Sequence, residues 1–330
     1  MIRSSMRKSV QSCAVCLMLW SPVMAGDAID LRPDWKPGQA TYVEFVWDNN
    51  DVNKGTDHPE EGQRVHSVMT FGVMHTVEHV DPAAGARIKI TLDRLALAVE
   101  HDDVRLSCDT DLPAVARSIG AFGKKLERLI GRSFYFIVSP TGRIDEVHGA
   151  DELVELAEPA DDDPYGADAS IIAACLSATA QAEVWRGFYG AFAFSEVKLG
   201  DTWIRRTAVE APIEVRYTLE DLESTPDGDH AVIAHLGHWD RETEWRDKGV
   251  VRMQSGPYDS SGHTVIDLAG GRIALSEEKV VQEIRVQRIG QDGDVDWWVN
   301  STNSAKHTIT VQSLEERQTA RRSADRRGGS

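Results

Sequence analysis

Basic residues are in short supply in this chain. Its 330 residues hold 36 Lys and Arg against 53 Asp and Glu, a formal net charge of −17 at pH 7. Such a polyanion is repelled by nucleic acid and by anionic lipid surfaces. No helix-turn-helix or RNA-binding motif offsets the charge, so nucleic acid is not an expected partner. Cysteine is sparse: Cys13, Cys16, Cys108 and Cys175 complete the set. Long apolar runs are nearly missing as well. Val10 to Trp20 is too short for an ordinary membrane span and no second run follows, so no stable membrane insertion is expected. There is no Gly-x-Ser-x-Gly elbow, no phosphate-cradling loop and no dinucleotide fingerprint. The α/β-hydrolase reading therefore has no anchor, and no cofactor is expected.

What is present begins with a targeting segment. Arg3, Arg7 and Lys8 precede the apolar run, and Val23-Met24-Ala25 is a small-residue cleavage site before Gly26. This pattern marks residues 1–25 as a signal peptide and predicts export to the periplasm or the extracellular space. Cys13 and Cys16 would leave with it. An oxidising compartment allows Cys108 and Cys175 to pair; two buried free thiols are the alternative.

The rest of the chain reads as one pattern used twice. Trp35-Lys36-Pro37-Gly38 opens the first copy and Leu199-Gly200-Asp201-Thr202-Trp203 the second. Alternating apolar segments follow each opener. Both copies then reach a Gly-Arg-Ile turn, Gly142-Arg143-Ile144 and Gly271-Arg272-Ile273, of the kind that joins two strands. Residues 26–147 form repeat one, 148–198 a helical connector and 199–314 repeat two. The Arg-rich tail 315–330 is expected to be disordered.

Strands are predicted over 65–80 and 86–101, joined by the Asp81-Pro82-Ala83-Ala84-Gly85 loop. Ile88, Ile90 and Leu92 share one face; Leu95, Leu97 and Val99 follow on the opposite parity. The switch at Asp93-Arg94 fits a β-bulge. Further strands are expected at 202–209, 212–221, 230–240, 248–256, 262–268, 272–289 and 296–313, with a second bulge near Glu277–Lys279. Helical spacing of Val115, Ile119, Phe122, Leu126 and Leu129 predicts a helix over 112–130. A short helix is expected at 150–157, and a longer one from Ala169 to Phe192 capped by Asp168.

Several constellations suggest chemistry, and each has a plainer explanation. His75-Thr76-Val77-Glu78-His79 has the spelling of a zinc-protease motif, which needs a helix. Here it lies on a predicted strand, where Glu78 points away from both imidazoles. His235 and His238 fall on opposite faces of a strand. Ser195–Lys198 and Ser276–Lys279 spell Ser-x-x-Lys without the companion elements of acylating enzymes. Asp161–Asp163 and Asp292–Asp296 are carboxylate clusters that suit turns better than calcium. The aromatics Trp35, Tyr42, Phe45, Trp47, Trp203, Trp239, Trp245, Trp297 and Trp298 fit core and edge packing better than carbohydrate stacking. No catalytic, cofactor or metal residue is assigned.

The Gly200-Asp201-Thr202-Trp203 opener, the segment from Gly131 through Phe134, Phe136 and Val138 to Gly142-Arg143-Ile144, and the helical insert together resemble a family of uncharacterised secreted bacterial proteins, a domain of unknown function. The likeness covers most of 35–313 and implies no catalytic residues. More distantly, long antiparallel strands with helices on one side look like the lipoprotein-carrier fold. That half-barrel lays helices over its concave apolar face and can hold an acyl chain; the analogy is one of fold alone.

The expected fold is α+β: a duplicated, strongly bent antiparallel β-sheet, half-barrel-like, with the inter-repeat helices covering one face. The expected function is that of an exported, non-catalytic protein that binds an apolar, lipid-like ligand or another envelope protein. Ile88, Ile90, Leu92, Ile284 and Val286 are the candidate ligand face. A hydrolase with an unrecognised active site is the alternative.

Overall fold

A computed structural model describes residues 27–56, 62–101, 104–112, 120–157, 172–173, 175–206, 214–226, 228–240, 243–247, 250–254, 256–289 and 295–328. The expected signal peptide and the Asp161–Asp163 cluster lie outside these residues, as does most of the Asp292–Asp296 cluster. The first part of the chain forms β1 (Ile29–Asp30), β2 (Ala40–Gly55), β3 (Gln63–Asp81), β4 (Gly85–His101) and β5 (Val104–Asp109). Then follow α1 (Gly120–Leu129), β6 (Ser133–Val138), β7 (Ile144–His148), α2 (Ala150–Ala157) and α3 (Ala178–Gly190). The second part holds β8 (Glu196–Val197), β9 (Thr202–Arg206), β10 (Glu214–Thr225), β11 (Gly228–Asp240), β12 (Thr243–Asp247) and β13 (Val250–Gln254). It closes with β14 (Pro257–Asp267), β15 (Arg272–Ile289), β16 (Val295–Gln312) and α4 (Leu314–Gly328).

One large antiparallel sheet dominates, in the order β7-β6-β4-β3-β2-β16-β15-β14-β11-β10-β9, and it is not closed into a barrel. The strands run where the apolar alternation put them. In β6, for example, Phe134, Phe136 and Val138 are buried while their neighbours are partly exposed. The bulge in β4 sits where the parity switch predicts it. Pairing jumps from Gly72–Arg94 to Val73–Leu92 and leaves Asp93 out of the ladder. The extra residue lets Leu92 and Leu95 both face the core, which a regular strand would forbid.

The two parts use the same strand sequence. β2-β3-β4-β6-β7 pair in that order, and so do β9-β10-β11-β14-β15. Their openers match in detail. Gly38 N–H donates to Val77 O, and Val77 N–H to Gln39 O; Gly200 N–H donates to Leu219 O, and Leu219 N–H to Asp201 O. Gly38 and Gly200 have φ of 83° and 87°, the left-handed region that favours glycine. The two Gly-Arg-Ile turns each join the fourth and fifth strands of these series. The openings also cross over. β1 pairs with β8, Asp34 N–H donates to Gly271 O, and Phe194 lies against Gly142. In this register Thr41, not Trp35, corresponds to Trp203.

Other expectations are corrected. The tail is not disordered from 315: α4 runs over Leu314–Gly328 and is tied down by arginines. Arg317 bonds both Asp93 and Asp111, and its guanidinium lies over the Tyr42 ring. Arg321 reaches the same two carboxylates. The bulge in β15 falls at Ala274, where pairing jumps from Val265–Leu275 to Ile266–Ile273, rather than at Glu277–Lys279. The connector helix is broken at Ser177, whose hydroxyl caps α3 by accepting from Ala180 N–H. The described part of the helix expected at 112–130 is Gly120–Leu129. The hairpin β12–β13 begins earlier than the single strand expected at 248–256. Cys108 and Cys175 are both free thiols; burial pushes the Cys108 thiol up to about 11, where it is unreactive.

Candidate functional site

The candidate site grows from one transverse row of the sheet. Successive pairings place Tyr217, His235, Gly262, Glu278, His307 and Trp47 side by side. Directly opposed residues of antiparallel strands project to the same face, so this row forms a polar strip across it. Gly262 is what lets the strip close up. A Cβ there would stand 2.7 Å from His235 Nε2 and 2.0 Å from the Glu277 carbonyl oxygen. With no side chain between them, His235 and Glu278 approach from either side, Nε2 to Oε1 at 4.0 Å. On the other flank His307 Nδ1 lies 3.3 Å from Glu278 Oε2.

Above this strip stands α3. Its Trp185 packs edge-on against Phe45, with ring centroids 5.3 Å apart, and against Phe136 at the same distance. Phe188 packs against Phe45 and His75 and, with Val184, borders the space over the second half. Between them and the sheet is a cleft of about 380 Å3. Its apolar wall includes Phe45, Trp47, Val184, Phe188, Val215 and Ile309; its polar floor holds His235, Glu278, His307, Tyr217 and Tyr258. That volume is within the ordinary range of small-molecule pockets, and a few convergent polar groups in an apolar cleft are their usual make-up.

The floor is electrostatically tuned. Burial works to raise the Glu278 pKa, but the His307 hydrogen bond and the charges of His307 and His235 outweigh it, and the carboxyl is held below its ordinary value. Burial lowers the His235 imidazole, against the pull of Glu278. His235 is 6% exposed, and its Nδ1 has no hydrogen-bond partner. Burial raises the Tyr217 and Tyr258 hydroxyls, each with Glu278 adding to the effect. The hydroxyls of Thr264 and Ser276 bond each other at 2.8 Å. Among the described residues no hydroxyl or thiol is hydrogen-bonded to either imidazole, and no group of three His, Cys, Asp or Glu side chains is arranged to hold a metal.

The structure separates the residues expected to form a ligand face. Ile88, Ile90 and Leu92 are fully buried in the core of the first half. Ile284 shares their face but sits at the far end of the strands. It pairs with Ser301, which pairs with Asn53, whereas Ile90 pairs with His75 beside Thr41. Ile284 lines a second, more open groove with Val52 and Asn300. The Val286 side chain is outside the described residues. His75 and His79 part company at a second bulge, between Val77 and His79. His75 is buried and bonded to the Tyr189 hydroxyl at 2.5 Å, while Glu78 pairs with Arg87. His238 is exposed and paired with Asp259. Glu278, His307, Tyr217 and Tyr258 carried no sequence signal as a set. Counting the alternation backwards from Val280 brings Glu278 to the inner face, and that was the available clue.

Residues 84–228 match the model of a family of unknown function, DUF6263, in line with the resemblance to an uncharacterised family. No curated protein matches. Among solved structures the chain is similar to lipovitellin, in a structure described as showing lipid–protein interactions. Identity is 12% and TM-score 0.48, over 85% of this chain and 26% of that one, so the chain spans about a quarter of that protein. It is also similar to DynF of the dynemicin biosynthesis pathway from Micromonospora chersina, at 9% identity and TM-score 0.20, covering 94% and 95% of the two chains. An outer membrane channel from Pseudomonas putida F1 follows at 6% and 0.20, covering 85% and 97%. No described helix is long and apolar enough to cross a membrane.

Proposed function

We propose that this chain is an exported, non-catalytic binding protein that holds a small, largely apolar ligand in the cleft between α3 and the β9–β16 part of the sheet. One observation carries the reading. The inner face of the sheet is filled by side chains over β3, β4 and β6, but between β2 and the second half a cleft of about 380 Å3 remains, with apolar walls and a short polar floor. Close packing is the default for protein interiors, so a gap of this size at matched strand positions calls for an occupant. In this reading the sheet is a duplicated, bent plan, and α3 is the cover over its concave face. The common strand order and the matched opener hydrogen bonds support the duplication. Export follows from the N-terminal pattern alone, and an envelope protein that delivers or receives the ligand is the natural partner.

The hydrolase alternative draws on the same His235–Glu278–His307 convergence. It lacks the hydroxyl–imidazole hydrogen bond by which a base activates a nucleophile, since Ser276 is committed to Thr264. Titration with Nile red, a neutral solvatochromic dye, tests the binding reading. Saturable, one-to-one binding is expected, and Val184→Trp, which fills the cleft from α3, should abolish it. Absence of saturable binding, or binding unaffected by Val184→Trp, overturns the proposal.

A further inference from the structure

The cleft has a sign. Its described lining includes two carboxylates, Glu183 and Glu278, and no lysine or arginine. Glu183 stands at α3 and is paired with Arg186, so the charge presented by the floor is that of Glu278. That carboxylate is three-quarters buried; its charged neighbours are two imidazoles, His307 at 3.3 Å and His235 at 4.0 Å, and the Ser260 hydroxyl also reaches it. Arg205, whose charge reaches Tyr217, is turned away. It donates to the Phe192 carbonyl and lies over the Phe194 ring. Around Glu278 the walls are aromatic: Trp47, Phe45, Phe188, Tyr217 and Tyr258.

We infer that the ligand of this cleft is a cationic amphiphile, an alkyl chain with a protonated primary amine seated at Glu278 among the aromatic rings. The inference rests on the binding reading above and names the ligand's head. A carboxylate away from bulk water attracts a cation more strongly than it would at the surface. Ring faces add to that attraction, and an ammonium supplies donors to the Glu278 oxygens. A fatty acid would set a second carboxylate against Glu278 with no arginine or lysine to hold it, which is the costliest arrangement for this lining. The buried Glu278 thus turns a general apolar cleft into one that selects by charge.

The test is calorimetric titration of the full chain with three eight-carbon ligands, octylammonium, octanol and octanoate, at pH 8, above the ordinary imidazole pKa of about 6.5. Octylammonium should bind at least about tenfold more tightly than octanol, and octanoate most weakly. Glu278→Gln should bring octylammonium to within about twofold of octanol. Glu277→Gln changes a carboxylate on the opposite face, paired there with Lys306, and should leave the preference intact. Octanol binding as tightly as octylammonium, or octanoate binding best, overturns the cationic head while the cleft remains a binding site. An octylammonium preference that survives Glu278→Gln or disappears in Glu277→Gln overturns it too, as general attraction to an acidic protein. If neither the three ligands nor Nile red bind, the binding reading itself falls.

Discussion

The two halves of the sheet run the same strand order, yet one is packed throughout and the other borders a cleft. In the first, Ile88, Ile90, Leu92, Phe134 and Phe136 are at most 1% exposed, and Trp185 and Tyr189 of α3 seat on them. In the second, Leu219, Ile233, Ile266 and Ile273 are equally buried and Tyr217 meets α3 at Gly190, but His235, Ser276 and Glu278 face a cleft beside the helix. The difference lies in which side chains the strands project and where the helix puts its bulk. Trp185 and Tyr189 fill the space over the first half, while Val184, Gly187 and Phe188 border the cleft over the second. One strand order thus carries a closed core on one side and a cleft on the other.

Matched truncations give the largest effect that can break this contrast. Ile90→Ala removes side-chain volume from the closed half and should cost about 3–4 kcal/mol, whereas Ile309→Ala at the cleft wall should cost about 1–2 kcal/mol, because that site already borders space. Denaturant unfolding reads both, and equal losses would mean that the cleft is packed like the core. Next comes a pH effect centred on His75 of the closed half. Burial lowers the His75 imidazole to about 4, from an unfolded value near 6.5. The unfolded chain therefore binds the extra proton between those values. Stability is complete above about pH 6.5 and should fall by about 3 kcal/mol as the pH drops to about 4. His75→Gln should flatten that slope in unfolding curves taken across the range; a slope unchanged by the substitution would assign it to other groups.

The bulges offer a smaller test. Asp93, at the bulge of β4, holds Arg317 at 2.8 Å and Arg321 at 3.1 Å, whereas the bulge in β15 centres on Ala274 and anchors no helix. Arg317→Ala should cost about 2 kcal/mol, below the full value for a broken buried pair because Arg321 remains, and should expose α4 to limited proteolysis. Protease resistance equal to wild type would show that the arginines are incidental. The smallest expected effect tests sameness. Gly38→Ala and Gly200→Ala place a Cβ in open space but force a left-handed conformation, so each should cost about 1 kcal/mol. A difference above about 1 kcal/mol, well outside the error of comparing such variants, would break the correspondence of the two openers.

Much of the sheet was legible because alternation is a local property. The hairpin at Asp81–Gly85 and the bulge at Asp93 follow from counting side chains along β4. The bulge in β15 was misplaced because Leu275, an apolar residue, faces outward at 37% exposure and so mimics a core position. The tail helix was hidden for a different reason. Its arginines read as a disordered composition until Asp93 and Asp111, some two hundred residues earlier, supply their partners. The site was the least legible part. His235, Glu278 and His307 come from three strands and make sense only in register, and the residue that lets two of them meet, Gly262, contributes by having no side chain.

The place of β2 in the sheet governs when the molecule can be finished. β2 lies between β3, its neighbour in sequence, and β16, near the other end of the chain; Asn303 donates to Asp51 across a separation of 252 residues. Until β16 has been made and carried over, β2 keeps an open edge along its whole length, and such edges recruit foreign strands. Contacts this distant also close slowly, on the millisecond-to-second scale of β-rich topologies or slower. The chain therefore passes through a period in which it is adhesive before it is complete. Refolding by dilution should show a slow final phase whose yield falls with protein concentration, and a chain truncated before Val295 should self-associate.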